Sequence, residues 1–227
     1  MIDDYAWRGD AREAMLRFGP DDAPTVLVLP PLFEEANRTR HFLVEVMRGL
    51  AAAGIASILP DLPGTNDSPV ATVDARLADW QAAIAALPGP ALTVSLRGGA
   101  LLDDFAATDL HWRLAPETGA RLLRDMVRAT AITAGIKAGE LEATARTQPT
   151  ALAGNVLRPD LFSALEKTVP GESGTIRTVR LDEDAGEADA QVGGLPLWRR
   201  AEPDHDPALA AAVVRDIADW MTSCGVR

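Results

Sequence analysis

The chain of 227 residues predicts an α/β architecture: a mostly parallel central sheet with helices on both faces and a small helical insertion. Three observations carry this. Short apolar runs such as Thr25-Val26-Leu27-Val28-Leu29 are uninterrupted by polar residues, as strands buried on both faces are. These runs alternate with segments of helical periodicity, the order of right-handed strand–helix–strand units. A third run, Ala91 to Leu96, turns sharply at Gly98-Gly99 into Ala100-Leu101-Leu102.

Taken in order, Ala11 to Phe18 partly alternates and ends at Gly19-Pro20, which reads as an edge strand. Thr25 to Leu29 is the first central strand, closed by Pro30-Pro31. A loop, Leu32 to Glu35, leads into a helix from about Asn37 to Ala53. Its apolar positions Phe42, Leu43, Val46, Met47 and Leu50 follow helical spacing, and Gly54 suits its C-terminal cap. Ile55 to Asp61 is the next strand, and Asp61 to Ser68 is rich in turn residues. Thr72 to Leu87 forms a helix with Leu77, Trp80 and Ile84 on one side, and Pro88-Gly89-Pro90 ends it.

Beyond the Gly98-Gly99 turn, Leu110 to Pro116 reads as a short strand and Glu117 to Ile136 as a long helix. Residues 139–149 are polar without clear periodicity, 150–154 suit a strand or hairpin, and Asp160 to Lys167 suits a short helix. The stretch 117–158 is expected as an insertion over the C-terminal edge of the sheet, within one domain spanning 1–227. Thr175 to Leu181 alternates like a strand near an edge. Asp182 to Glu187 is an acidic loop. Leu195 to Arg200 reads as a last strand, with Pro196 placing it at an edge or making it start late. A final helix, 208–222, carries Leu209, Val213, Val214, Ile217 and Trp220.

Composition narrows the setting. A formal net charge of −11 repels nucleic acid and anionic membrane. No apolar run approaches the ~20 residues of a bilayer span. A single cysteine, Cys224, forms no internal disulfide, which fits a reducing compartment, and the acidic N-terminus is unlike a signal peptide. A cytoplasmic protein is expected, with no cofactor and no metal implied by any motif.

Strand, tight turn and helix-compatible sequence together form the context of the nucleophile elbow of the α/β-hydrolase fold. In the frame Ser95-Leu96-Arg97-Gly98-Gly99, Arg97 stands where a hydrolase needs Ser, Cys or Asp. A guanidinium stays protonated and attacks no carbonyl. The fold orders its triad as nucleophile, acid, histidine. Asp184, with Asp182 as the alternative, follows a late strand, and His205 stands before the last helix; His41 falls inside a helix and His111 begins a strand. The competing reading makes His205 a surface or capping residue and Asp184 part of a solvated turn. Ser95, two residues before the apex, packs between strands on this reading rather than facing a substrate, and Ser68 is a looser candidate.

Arg97 needs anionic company if buried. Strand order in this fold sets the loop holding Leu32, Glu34 and Glu35 beside the elbow, so an Arg97–Glu35 pair is expected to close the site. The alternative is an arginine that clamps a carboxylate or phosphate ligand, with Glu34, Glu35, Leu32, Ser95 and Gly98 around it.

Two segments and the elbow resemble a known family. Pro30-Pro31-Leu32-Phe33-Glu34-Glu35-Ala36-Asn37-Arg38-Thr39-Arg40 is similar to a Pro-Phe-x-Glu-Glu-x-Asn-x-x-Arg segment of the second family of exosortase A system-associated hydrolases. Asp61 to Ser68 resembles that family's Asp-Leu-x-Gly-x-Gly-Asp-Ser loop, with Asn66 at a usual glycine. Leu96-Arg97-Gly98-Gly99-Ala100-Leu101-Leu102 resembles its Leu-Arg-x-Gly-Ala-Leu-Leu elbow, where arginine also holds the nucleophile position. The likeness is best over 25–116. It implies an α/β-hydrolase fold and association with exosortase and exopolysaccharide biosynthesis proteins. Three functions remain open: a ligand-binding or accessory hydrolase relative, a hydrolase activating water through His205 and Asp184, and a non-enzymatic interaction protein.

Overall fold

The computed structural model describes residues 1–226. Among these residues, ten strands and six α-helices succeed one another as β1 (Ile2–Arg8), β2 (Ala11–Phe18), β3 (Thr25–Leu29), α1 (Glu34–Ala52), β4 (Ala56–Pro60), α2 (Leu77–Ala85), β5 (Leu92–Leu96), β6 (Leu110–Leu114), α3 (Gly119–Ala134), α4 (Ala138–Ala145), β7 (Thr150–Leu152), β8 (Asn155–Leu157), α5 (Pro159–Glu166), β9 (Thr175–Leu181), β10 (Ala190–Val192) and α6 (Pro207–Ser223). The main sheet has eight strands in the order β1-β2-β4-β3-β5-β6-β9-β10. From β4 to β10 neighbouring strands are parallel, and β1 and β2 add antiparallel edges. This is the α/β-hydrolase fold.

The central strands β3, β4 and β5 are buried on both faces; β3 and β4 are almost wholly apolar, and β5 satisfies Thr93 and Ser95 through His111 and Asp103. On one face α1 and α6 cover them, with Phe42, Val46, Met47, Leu50, Val213 and Ile217 meeting Val28, Val94 and Trp112. On the other, α2 packs together with α3, α4, the β7–β8 hairpin and α5; Trp80, Leu123, Leu157 and Phe162 share one cluster with Leu27 and Leu29. The segment between β6 and β9 is therefore built of helices and a small hairpin, resting on the same apolar layer as the sheet.

Several elements depart from the sequence reading. Strand β2 is not at the edge, because β1 pairs along it from Ile2↔Leu16 to Arg8↔Ala11. Only Tyr5 of β1 is fully buried, so that strand has no apolar alternation to announce it. After the elbow the chain forms two 3₁₀ turns, Arg97–Leu101 and Asp103–Phe105, instead of an α-helix. Buried Asp103 accepts from Ser95 Oγ (2.9 Å) and from Arg113 Nε (2.7 Å) and Nη2 (2.8 Å), which turns the chain inward. Leu195 to Arg200 is not a strand: Leu197–Arg199 is a 3₁₀ turn, and the last strand is β10, earlier and only three residues long.

Register sets the site. Leu29 pairs with Ser95 and Leu96 with Leu114. The chain thus leaves β3, β5 and β6 side by side at one edge of the sheet, just before Glu35, Arg97 and Glu117.

Candidate functional site

The elbow is a strained turn held by close packing. Arg97 has φ 54° and Phe33, on the neighbouring loop, has φ 59°, both in the region that non-glycine residues rarely enter. Gly99 is required by contact: a Cβ there would lie 2.5 Å from Leu29 O and 2.7 Å from Pro30 O. Gly98 is buried against Leu32, whose Cγ would stand 3.3 Å from an added Cβ. The loop after β3 and the elbow are thus in direct contact.

Arg97 is 5 % exposed and spends its donors on two carboxylates. Nε donates to Glu35 Oε2 at 3.3 Å and Nη2 to Glu35 Oε1 at 3.1 Å, a bidentate pair of the expected kind. Nη1 donates to Glu117 Oε2 at 3.2 Å. The guanidinium carbon lies 5.2 Å from the ring centroid of Trp198, in cation–π range. Glu117 also pairs with Arg121 at 3.3 Å.

The electrostatics reflect this arrangement. Burial pushes the Glu35 carboxyl above the ordinary carboxylate range; Arg97 pulls it back, while Asp125 and Glu117 push it up further. Burial alone would lower the Arg97 guanidinium, but Glu35 and Glu117 outweigh it and raise it. Each side therefore holds the other's charge in place. The Arg97 donors are thus already spent on carboxylates, and a further anion would have to displace one of them.

The remaining sequence candidates lie elsewhere. Glu34 does not reach Arg97; it pairs with Arg38 one turn along α1, and Arg38 Nη1 donates to Trp198 O at 3.0 Å. Asp184 is half-buried and engaged by Arg199 Nη2 at 3.6 Å, and Asp182 is exposed. His205 is exposed and its ring stacks on His41 with centroids 4.5 Å apart. Among the described residues, no hydrogen bond or ion pair joins the His205 ring to Arg97 or to Asp184. The ring that the β10–α6 connection presents to Arg97 is Trp198. Ser95 is fully buried and points its hydroxyl at Asp103, away from the elbow apex. Ser68 is tied into its loop, donating to Glu13 Oε1 at 3.0 Å and accepting from Gly64 N at 2.8 Å.

Sequence reasoning missed Glu117 and Trp198. Glu117 was reachable: it stands three residues past β6, and polar residues just beyond the carboxyl ends of parallel strands are where such sheets place their ligands. Trp198 carried no such signal, because Leu195 to Arg200 mimics a strand.

A cleft of about 320 Å³ opens over Arg97, bounded by Phe33, Arg38, Met126, Ala129 and Trp198. A more open and polar cleft of about 650 Å³ adjoins it, with Asn37, Thr130, Thr133 and Asn155 in its walls. Behind Phe33 lies a smaller, more enclosed chamber of about 110 Å³.

No protein-family model matches the chain, and no curated protein matches it. Solved structures do. It is similar to the α/β hydrolase domain-containing protein 10 from mouse, with a TM-score of 0.66 and 14 % identity over 99 % of each chain. It is similar to Est1E from Butyrivibrio proteoclasticus with bound ferulic acid, with a TM-score of 0.62 and 13 % identity over 97 % of this chain and 98 % of that one. A haloalkane dehalogenase loop variant from Bradyrhizobium elkanii gives a TM-score of 0.62 and 14 % identity over 98 % of this chain and 96 % of that one. At these identities the likeness is one of fold.

Proposed function

We propose that this protein is a degenerate α/β hydrolase that binds a small ligand between the sheet edge and the inserted helices and forms no acyl-enzyme. One observation carries the reading: the elbow apex holds Arg97, locked bidentately on Glu35 and bound to Glu117. A nucleophile position filled by a paired cation has no electron pair to offer. The two carboxylates stand where developing negative charge would need hydrogen-bond donors. A ligand with a free carboxylate or phosphate gains little, since Glu35 already fills the fork of Arg97 and Glu117 takes its remaining arm. An uncharged ligand needs no free cation and so leaves these pairs in place.

Water activation by His205 and Asp184 has less behind it, because the imidazole stacks on His41 and the carboxylate faces Arg199. The resemblance of the Pro30–Arg40, Asp61–Ser68 and Leu96–Leu102 segments supports an accessory role in the cytoplasm beside the exosortase and exopolysaccharide proteins. Fold alone does not establish activity.

The test is direct. The protein is incubated with a serine-directed fluorophosphonate and with short p-nitrophenyl esters. Neither labelling nor turnover above the buffer rate is expected. A labelled serine, or turnover lost in Ser95→Ala or His205→Ala, would sink the reading.

A further inference from the structure

The chamber behind Phe33 carries an inference that rests on the reading of a non-covalent binding protein and specifies what is bound. We propose that this chamber holds the apolar end of the ligand, and that the ligand is a short uncharged molecule. Its chemistry is an alkyl chain of about four carbons bearing one neutral hydrogen-bonding head, such as a primary amide.

Widely separated parts of the chain build the chamber, among them the loop after β3, the start of α1, the Asp61–Ser68 loop, α2, and the β8–α5 segment. Leu32, Leu62, Trp80, Leu157 and Leu161 form its apolar wall and are all nearly or fully buried. Protein interiors leave few spaces larger than a water molecule, so a chamber of about 110 Å³ is a feature of the fold. An apolar cavity of about 150 Å³ takes up benzene, with six carbons, which scales to about four carbons here. Among the described residues, Arg40 is the one charged side chain in the lining, and its guanidinium is neutralised by Asp61 at 3.3 Å. The wall therefore presents no unpaired charge to a charged group.

The mouth supplies the polar contact. Asn37 and Asn155 line both the chamber and the open polar cleft. Asn155 Nδ2 donates to Ala153 O at 3.0 Å, which leaves its carbonyl oxygen to accept. The Asn37 amide has no side-chain hydrogen bond to any described residue, so it can donate and accept. A neutral head that both donates and accepts is satisfied there. Phe33 stands between chamber and Arg97 cleft, lining both, with its ring edge-to-face on Trp80 at 5.7 Å. Its packing on Trp80 holds that ring between the two compartments, so the chain of the ligand is directed toward Trp80.

The experiment measures binding of primary amides from propanamide to heptanamide by ligand-detected NMR and by tryptophan emission, with pentanoate and pentylamine as charged counterparts. Affinity should rise up to pentanamide and then level, and both charged molecules should bind at least tenfold more weakly. Ala36→Leu, which narrows the chamber from a half-exposed position on α1, should weaken pentanamide at least tenfold. Leu161→Ala should move the optimum to longer amides, a gain that misfolding does not mimic. Binding indifferent to chain length, equal binding of the charged molecules, or no binding of any amide would overturn the proposal. Loss in Ala129→Phe with Ala36→Leu unaffected would place the ligand in the cleft over Arg97. That outcome overturns the chamber while leaving the non-covalent reading intact, whereas serine labelling sinks that reading whatever the amides do.

Discussion

Replacing Arg97 by methionine tests the central ion pair, because the structure fixes both the size and the pH dependence of the effect. The Arg97 side chain is 6 % exposed and that of Glu35 15 %, so water screens the pair little. Removing the cation strands Glu35 beside Glu117 and Asp125. Breaking a buried pair from one side costs about 3–5 kcal/mol. For a chain of this length that is a fall in Tm of about 6–20 °C. Glu35→Gln should cost less, about 1.5–3 kcal/mol, because the amide keeps one acceptor and Glu117 still balances the guanidinium. The double variant Arg97→Met, Glu35→Met removes both charges and should recover most of the loss, as apolar replacement of a buried pair commonly does.

The pH dependence has a definite sign. Glu35 already titrates above the ordinary carboxylate value in the folded protein, and without Arg97, the largest opposing influence, it rises further. A folded-state pKa above the unfolded one means the native state binds the extra proton. Stability is then greatest below the unfolded value and is lost as pH rises through the folded one. Arg97→Met should therefore be worst near neutral pH and recover on acidification, in urea unfolding monitored by tryptophan fluorescence. A loss under about 0.5 kcal/mol, or one that does not change with pH, would refute the buried-lock argument.

Three further outcomes are expected. Arg97→Ser should not yield an esterase: the new hydroxyl faces Glu35 and Glu117 with no imidazole in contact, and p-nitrophenyl acetate assays should show no rise over the parent protein. Gly99→Ala should lower stability by about 2 kcal/mol or more in urea unfolding, since the methyl would lie 2.5 Å from Leu29 O and overpacking against backbone is not relieved by a rotamer change. Glu13→Gln should stabilise at neutral pH, because burial raises this carboxyl despite the Ser68 hydrogen bond; the gain should shrink as pH falls through the ordinary carboxylate range, read as Tm from pH 4 to 8.

What the sequence discloses depends on whether a residue's neighbours are dictated by its own element or by the assembled fold. Strand β3 announces itself as an unbroken buried apolar run, and helices α1 and α6 because their buried apolar positions recur at helical spacing. The Arg97–Glu35 pair was legible for a related reason: parallel strands β3 and β5 are neighbours, so the loop leaving β3 faces the turn leaving β5. Strand β1 was not legible, since its backbone, not its side chains, joins the sheet. The same holds for β10, whose three residues pair with Val179 to Leu181 without an apolar pattern of their own. Buried Leu197 and Trp198 misled in the opposite direction, because a 3₁₀ turn buries them by tertiary contact. The error propagated into the site. With Leu195 to Arg200 taken as a strand, the next connection pointed to His205. With that stretch a turn, Trp198 is the side chain that reaches Arg97, and the histidine is left on the surface against His41. Asn66 shows that a departure from a motif is structurally informative: it holds φ 47° where the resembling loop has glycine, and its amide donates to the Asp61 carboxylate. A side chain that bonds locally offsets the cost of the left-handed conformation. The loop keeps the shape that forms one wall of the chamber, although the residue that usually permits that shape is absent.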